Sequence, residues 1–349
     1  MTTHTLPPPG VMLDAFLRRD ATFDGLFVTA VSTTGIFCRP TCSARRPLPE
    51  HLSFYATPGE ALIAGYRPCL RCRPLEPAGA APAWLRPLLA AVEAEPARRW
   101  SDEDLRGQGM SPERVRRWFK RNHGMTFQAH HRARRLGSAL GRVKEGSSVG
   151  RAALDAGYDS LSGFQEAFRQ YFGSSPTNLD GAVVVKVTRV VTPLGPMLAG
   201  ATDGALALLE FADRRQLASQ VRRISSRLGA VWVPEPSRVV EQAATQLGEY
   251  FGGTRREFTL PLLPLGSDFE RAVWDALCEI PFGETRSYAD VARRVGRPSA
   301  SRAVGRANGM NALAIVVPCH RVVGADGRLV GYGGGLWRKE RLLAGERSM

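Results

Sequence analysis

The chain has 349 residues and is strongly basic, with 47 Lys and Arg against 33 Asp and Glu and a formal charge of +14. It contains no run of eighteen apolar residues, and its first ten residues are polar and proline-rich, so the sequence predicts a cytoplasmic protein of bacterial type without a membrane span or a secretory signal. The length predicts two to three domains, and the positive charge favours a polyanion such as nucleic acid as partner.

Four of the six cysteines form two closely spaced pairs near the start of the chain. Three residues separate Cys38 from Cys42, two separate Cys69 from Cys72, and 26 residues stand between the pairs. Two such pairs can complete a tetrahedral shell of four thiolates, which is the arrangement of structural zinc sites. The sequence therefore predicts Zn²⁺ bound by these four thiols in a small domain over residues 1–76, and four unrelated thiols are the alternative.

The sequence around the two pairs resembles the N-terminal domain of the Ada-type methylation-response proteins. The likeness lies in residues 33–40 and 65–69. It implies that Cys38 is also a methyl acceptor, which takes the methyl group of a methylphosphotriester in the DNA backbone. A metal-bound thiolate stays ionised yet nucleophilic, and a neutralised phosphotriester does not repel it. Three residues are implied to contact the DNA backbone: Thr34, Arg45 and Arg67.

The middle of the chain, residues 84–178, predicts helices throughout, after a linker over residues 78–83. A short helix, a turn and a second helix occur twice, about fifty residues apart, which indicates paired helix-turn-helix units. Gly107 and Gly109 are expected to weaken the leading helix of the first unit. Ser160 caps the last helix, whose phenylalanines recur every four residues at 164, 168 and 172.

This helical block resembles the AraC-type DNA-binding domain in its helix order and in the Gly-Ser-Ser-Pro sequence of residues 173–176. Residues 98–135 carry eleven Arg or Lys against four Asp or Glu, which favours contact with DNA phosphates. The resemblance implies binding to double-stranded promoter DNA. A helical domain without DNA contact is the alternative.

The last part of the chain predicts strands and one helix, 238–251, over residues 183–265, and then short helices over residues 266–349. No pattern in the first of these regions indicates chemistry. In the second, an apolar run at 314–317 predicts a strand that ends at Pro318-Cys319-His320. Proline fixes the turn that presents the thiol, and the imidazole or a water it holds can take the thiol proton. Cys278 is expected to be an inert core thiol.

Residues 318–323, Pro-Cys-His-Arg-Val-Val, resemble the alkyl-acceptor motif of the O6-alkylguanine-DNA alkyltransferases. The resemblance implies that Cys319 takes the methyl group of O6-methylguanine and of O4-methylthymine. Glu346 would orient His320 and favour its protonated form, with a water between His320 and the thiol. The resemblance also implies that Asn311 braces the active-site turn and that Tyr332 lines the alkyl pocket. Tyr288 would help to rotate the nucleotide and would protonate the leaving base. Arg302 would fill the position that the base vacates. Glycines 333–335 are expected to leave room over that pocket.

Together the blocks resemble the full Ada-type architecture, a multidomain α+β protein. It comprises a zinc-bound domain, an all-α double helix-turn-helix domain, and an alkyltransferase domain with an α/β and a helical subdomain. The resemblance implies a single-turnover methylated-DNA–protein-cysteine S-methyltransferase that becomes a transcriptional activator of alkylation-response genes when Cys38 is methylated. The expected partners of this nucleoid-associated monomer are alkylated DNA, promoter DNA and RNA polymerase. A zinc-containing transcription factor without alkyl transfer and a repair enzyme without a regulatory role are the alternatives.

Overall fold

The computed structural model describes residues 6–20, 23–76, 81–179 and 181–348. Residues 1–5 and 349 of the predicted first and last domains, and residues 78–80 of the predicted linker, lie outside the described residues. Among the helices described, none combines the length and the apolar character that crossing a membrane requires.

The N-terminal part is a small sheet flanked by two helices. Its elements are α1 (Pro9–Arg18), β1 (Val28–Val31), β2 (Ile36–Cys38), β3 (Leu52–Tyr55), α2 (Pro58–Ile63) and β4 (Arg67–Pro68), with the strands in the order β3-β1-β2-β4. β2 runs parallel to β4, with Phe37 opposite Pro68. Because Cys38 ends β2 and Cys69 directly follows β4, this register places the first thiol of each pair at the same end of the sheet.

Six helices form the middle part of the chain. They are α3 (Arg86–Ala94), α4 (Asp102–Gly107), α5 (Pro112–His123), α6 (Phe127–Lys144), α7 (Val149–Asp155) and α8 (Leu161–Phe172). One apolar core gathers around Phe119 and Phe127, and a second around Leu136, Phe164 and Phe168. The long helix α6 contributes to both cores, so it joins the two helix-turn-helix units into one body.

The two glycines of the first unit lie at the end of its leading helix. Ser101 and Asp104 form a reciprocal capping box at the start of α4, and Gly107 is the last residue of this six-residue helix. Gly109 lies in the turn with a φ of +72°, a conformation that glycine adopts without steric cost. The helix forms, and its weakening by the glycines stays a prediction.

The C-terminal part begins with a four-stranded sheet and two helices. These are β5 (Val183–Thr192), β6 (Gly195–Ala201), β7 (Leu206–Phe211), α9 (Leu217–Leu228), β8 (Ala230–Val233) and α10 (Arg238–Phe251), with the strand order β7-β6-β5-β8. The predicted helix over 238–251 is confirmed. Four helices and a two-residue parallel pair follow: α11 (Asp268–Cys278), β9 (Arg286–Ser287), α12 (Tyr288–Arg294), α13 (Ser301–Gly309), β10 (Val322–Val323) and α14 (Leu336–Ser348).

Two predictions for this region are wrong. The apolar run at 314–317 is a turn rather than a strand, in which Ile315 has a φ of +74°. A β-branched residue in the left-handed region is strained, and surrounding packing must hold it there. Leu313 pairs only in an isolated bridge with Leu209 of β7. Cys278 ends α11 and is exposed, so it is not a core thiol.

The helix-turn-helix block packs against the edge of the C-terminal sheet. Gly137 of α6 lies so close to Val233 of β8 that a Cβ atom at position 137 would fall 2.6 Å from a Val233 methyl carbon. Arg189 of β5 also donates a hydrogen bond to the main-chain oxygen of Asn122. This contact therefore requires a glycine at position 137.

We expect Gly137→Ala to lower the melting temperature by several degrees, since overpacking a buried contact costs about 1–3 kcal/mol. Gly141→Ala, one turn further along α6, is the matched control because no atom lies within 4 Å of the added methyl group. Alanine is the better helix former by about 1 kcal/mol, so the control should melt at the same temperature or higher. Equal melting temperatures of the two variants would contradict the packing argument.

Candidate active site and metal centre

The four N-terminal cysteines converge as the sequence predicts. Their sulfur atoms all lie within 4.8 Å of one another, and Cys42 Sγ is 3.9 Å from Cys69 Sγ. Tetrahedral zinc with Zn–S bonds of 2.3 Å requires sulfur separations of about 3.8 Å. The four thiols therefore fit a zinc ion with small adjustments, and no fifth ligand is needed.

Main-chain and arginine contacts hold the second cysteine pair in place. The amide of Arg39 donates to Cys72 Sγ at 3.4 Å, and its side chain donates to the carbonyl oxygens of Cys72 and Arg73 at 3.0 and 2.8 Å. The amide of Cys69 donates to Phe37 O at 3.0 Å. These bonds connect the loop after β4 to β2, so the ligand geometry is built largely by the backbone.

The three residues predicted to contact the DNA backbone are all exposed. Thr34 lies in the turn between β1 and β2. The amide of Arg67 donates to Gly35 O at 2.8 Å, which places Arg67 beside that turn. Arg45 lies three residues after Cys42. The structure thus brings Thr34 and Arg67 together at the turn before β2, whereas Cys38 lies at the other end of that strand.

Cys319 lies in a short 3-10 turn and is 6% exposed. The Asn311 amide group donates to Cys319 Sγ at 3.1 Å and to Val317 O at 3.0 Å, and its oxygen accepts from the amide of Leu313 at 2.8 Å. Burial raises the pKa of Cys319 to about 11, although the Asn311 hydrogen bond lowers it. The thiol is therefore protonated at rest, and alkyl transfer requires a base.

His320 and Glu346 form the pair that the sequence predicts, with Nε2 and Oε1 2.8 Å apart and both side chains fully buried. Glu346 accepts four more hydrogen bonds, two from Arg321 at 2.9 and 3.0 Å, one from the Tyr250 hydroxyl at 2.8 Å and one from the Gly283 amide at 3.1 Å. Burial raises the pKa of Glu346, but His320 and Arg321 more than offset this and hold it at about 2. The carboxylate is ionised and fully bonded.

The resting form of His320 differs from the expectation. Burial lowers its pKa more than Glu346 raises it. The physical reason is that Arg321 already neutralises the carboxylate, which leaves little negative charge to stabilise an imidazolium. The neutral ring donates from Nε2 to Glu346. Its Nδ1 makes no hydrogen bond within the described part of the chain, so it is the atom able to accept the thiol proton.

A cavity of about 440 Å³ lies over the thiol, with Tyr288, Tyr332, Asn308 and Cys319 in its wall. The Tyr288 hydroxyl donates to Val330 O at 3.3 Å. The cavity size suits a single extruded base. Arg302 does not line it, because this residue lies exposed near the start of α13.

The glycine-rich loop packs closely on the α/β subdomain. A Cβ atom at Gly333 would fall 2.5 Å from Arg214 Cζ, and one at Gly334 would fall 2.6 Å from the Phe211 ring. Glycines 333–335 also line the cavity over Cys319, so the expectation that they leave room there stays a prediction.

Sequence reasoning missed the residues that support the motif. Tyr250 sits in the apolar pattern of α10, and Arg214 follows a buried strand, so neither carries a local signal of chemistry. Asn308, which donates to Cys319 O at 3.3 Å, carries no local signal either. Arg321 lies within the motif and could have been identified, since a buried carboxylate needs a charged partner.

Removing one of the four cysteine ligands should abolish zinc binding. We expect one zinc ion per chain in the wild type and in Cys278→Ser, whose exposed thiol lies outside the cluster. Cys69→Ser should lose the ion and destabilise the N-terminal part, because metal binding and folding are coupled in small metal-stabilised domains. Elemental analysis and thermal melting measure both effects. Full zinc occupancy in Cys69→Ser would contradict the four-thiol site.

Removing the Tyr250 hydroxyl should alter the pH dependence of alkyl transfer. Without this donor the Glu346 carboxylate attracts a proton on His320 more strongly, so the pKa of His320 rises and the neutral base forms only at higher pH. We expect Tyr250→Phe to shift the acidic limb of the rate profile upward by about one pH unit. Tyr171→Phe is the control, since its hydroxyl donates to Trp232 O at 3.4 Å and not to Glu346. An unshifted limb would contradict this role.

Comparisons with known proteins match the three parts of the chain in order. Residues 12–75 match the metal binding domain of Ada, residues 106–181 a helix-turn-helix domain, and residues 268–348 the DNA binding domain of 6-O-methylguanine DNA methyltransferase. The predicted succession of a zinc-binding, a helix-turn-helix and an alkyltransferase domain is therefore confirmed, and zinc is the cofactor of the first.

Two relatives and one solved structure describe the extent of the similarity. A methylated-DNA–protein-cysteine methyltransferase of Mycolicibacterium paratuberculosis is 51% identical over 150 residues, which cover 42% of this chain and 89% of the relative. The crystal structure of the Mycobacterium tuberculosis O6-methylguanine methyltransferase covers 47% of this chain and 93% of that chain, with 42% identity and a TM-score of 0.42. The bifunctional transcriptional activator/DNA repair enzyme Ada of Escherichia coli K12 is 38% identical over 339 residues, 95% of this chain and 94% of the relative. The chain therefore belongs to the Ada family.

Proposed function

We propose that this protein is a single-turnover DNA-repair methyltransferase and a transcriptional activator of alkylation-response genes. It transfers methyl groups from O6-methylguanine and O4-methylthymine to Cys319, and from backbone methylphosphotriesters to Cys38. The observation that carries the proposal is the buried Cys319 thiol, hydrogen-bonded to Asn311 beneath a base-sized cavity and followed by a neutral His320. The E. coli relative bears the same pair of activities in its name.

At the C-terminal site, proton removal precedes alkyl transfer. The Cys319 proton passes through a water to Nδ1 of His320, and Glu346 stabilises the imidazolium that forms. The thiolate attacks the alkyl carbon. A sulfur–carbon bond forms while the bond from that carbon to O6 breaks, and the guanine leaves with the electron pair. The product is a thioether with no easy reverse step, so each chain repairs one lesion.

Two further residues serve the extruded base. O6 of a paired guanine is inaccessible to a buried thiol, so the nucleotide must rotate out of the duplex. Arg302, exposed at the start of α13, fills the vacated position. Tyr288 lines the cavity, and burial raises its pKa, so it keeps its proton at neutral pH and can donate it to the leaving guanine. Tyr332 forms the wall of the alkyl pocket.

At the N-terminal site, Cys38 is the acceptor and Cys42, Cys69 and Cys72 are its co-ligands. Bound zinc keeps the four thiols ionised at neutral pH while Cys38 remains nucleophilic. Exposed Thr34, Arg45 and Arg67 hold the DNA backbone beside Cys38. A sulfur–carbon bond forms as the methyl carbon separates from the phosphotriester oxygen, which leaves an ordinary phosphodiester anion.

Intact-protein mass tests both acceptors together. DNA that carries O6-methylguanine and methylphosphotriesters should add two methyl groups to the wild type and to Cys278→Ala. Cys319→Ala and Cys38→Ala should each gain one. A single methyl that is lost only in Cys319→Ala would leave guanine repair with a purely structural zinc site. No mass change in reduced, zinc-loaded protein would overturn the enzyme and favour a transcription factor without alkyl transfer.

Methylation of Cys38 is the proposed regulatory switch. It removes one negative charge from the thiolate cluster, which lowers its repulsion with DNA phosphate. The helix-turn-helix block then supplies sequence preference, and α5 presents four exposed cations for phosphates: Arg114, Arg117, Lys120 and Arg121. The protein acts in the bacterial cytoplasm on the nucleoid, as a monomer that recruits RNA polymerase.

We expect methylated wild type to bind promoter DNA about tenfold more tightly than unmethylated protein at low salt, with a smaller difference at high salt because screening weakens the charge effect. Cys38→Ala treated with the same methylated DNA controls for methylation at Cys319. Fluorescence anisotropy at two salt concentrations measures the affinity of each protein for promoter DNA. Equal affinities of the methylated and unmethylated wild type would refute the switch.

A further inference from the structure

A buried ion pair of the α/β subdomain faces the C-terminal acceptor. Glu210 lies near the end of β7, and Arg214 follows in the turn before α9. Their side chains are 1% and 5% exposed, and both lie in the cavity wall with Cys319. Buried pairs of this kind contribute little net stability, because desolvation offsets their attraction. Their position beside the nucleophile therefore calls for a reason other than stability.

The contacts of Arg214 lead directly to the nucleophile. Its guanidinium donates to Glu210, to Asn311 O at 3.1 Å and to Gly309 O at 2.6 Å. Asn311 is also the residue whose side-chain amide donates to Cys319 Sγ. Arg214 thus holds the main chain of Asn311 from across the subdomain boundary, only one residue away from the thiol.

Glu210 holds the Arg214 side chain in place. Glu210 accepts from the amide of Phe211 at 2.9 Å with one oxygen and from Arg214 with the other. Gly333 also packs against the guanidinium, where a Cβ atom would lie 2.5 Å from Cζ. The guanidinium is therefore held between the Glu210 carboxylate and the glycine-rich loop.

Nearby charges also affect the pKa of the Cys319 thiol. Arg214 and Lys339 lower the pKa of the thiol, whereas burial and Glu210 raise it. Other titratable groups around it include the hydroxyls of Tyr288 and Tyr332, the neighbouring imidazole of His320 and, in the cavity wall, Asp213, Arg215 and Arg338. Glu210 and Arg214 therefore act on the thiolate with opposite signs.

We propose that Glu210 and Arg214 are a positioning pair for alkyl transfer. Arg214 holds the Asn311 turn so that its amide stays on the Cys319 sulfur, and Glu210 orients Arg214. The α/β subdomain thereby takes part in activation of the nucleophile. This inference rests on the proposed methyl transfer to Cys319.

The test compares Arg214→Met and Glu210→Gln by two rates. One is methyl transfer from O6-methylguanine DNA, and the other is the pH profile of Cys319 alkylation by iodoacetamide, followed on the Cys319 peptide by mass spectrometry. Arg214→Met removes the positive charge, so both rates should fall about tenfold at pH 7.5 and the profile should move about one unit to higher pH. Glu210→Gln keeps an acceptor for Arg214 and removes the negative charge, so its profile should move to lower pH.

Arg338→Met is the matched control. Arg338 is a buried arginine in the same cavity wall, but it pairs with Asp213 at 2.9 Å and does not contact Asn311. This variant should melt at a lower temperature without a shift of the iodoacetamide profile. Loss of rate in both test variants with unshifted profiles would overturn the positioning pair. A wild type that reacts with iodoacetamide but takes no methyl from DNA would instead overturn the proposed function, because the iodoacetamide profiles need no DNA.

Discussion

The C-terminal site depends on one buried carboxylate, Glu346 of α14. An ionised carboxylate inside a protein is strongly destabilising unless hydrogen bonds and opposite charge replace the lost water. Here five donors do so, from α10, from the turn before β9 and from the 3-10 turn of the motif. Because these segments are far apart in sequence, satisfying the carboxylate aligns them. His320 acquires its orientation, its tautomer and its neutral charge from this arrangement.

The two proposed acceptor cysteines lie in different chemical environments. A thiol is a poor nucleophile until it loses its proton. Cys319 is protonated at rest and relies on a neutral neighbouring base, whereas Cys38 lies among three other thiols whose geometry suits a cation. In the proposed function, Cys319 is ionised only when a base removes its proton, whereas a bound metal would keep the Cys38 sulfur ionised.

The sequence predicts those parts of the sites that are contiguous. Cys38 and Cys319 stand in short motifs with distinctive neighbours, and Glu346 is identified through the family resemblance. The supporting residues escape prediction because their partners are distant along the chain. Tyr250 lies 96 residues from Glu346, and Arg214 lies 97 residues from Asn311. The turn at Ile315 is also unpredictable from propensity, since an apolar β-branched run favours a strand and only tertiary packing holds this residue at positive φ.

The parallel pairing of β2 with β4 has a consequence for the life of the protein in the cell. Only two residue pairs form this contact, and they join segments about thirty positions apart, so the pairing is too small to persist alone. Metal bound by Cys38 and Cys69, which lie at one end of this pairing, would therefore stabilise the N-terminal part. The described residues of the C-terminal part contain no comparable cluster. In the proposed function, metal scarcity would thus impair methyl transfer to Cys38 before methyl transfer to Cys319.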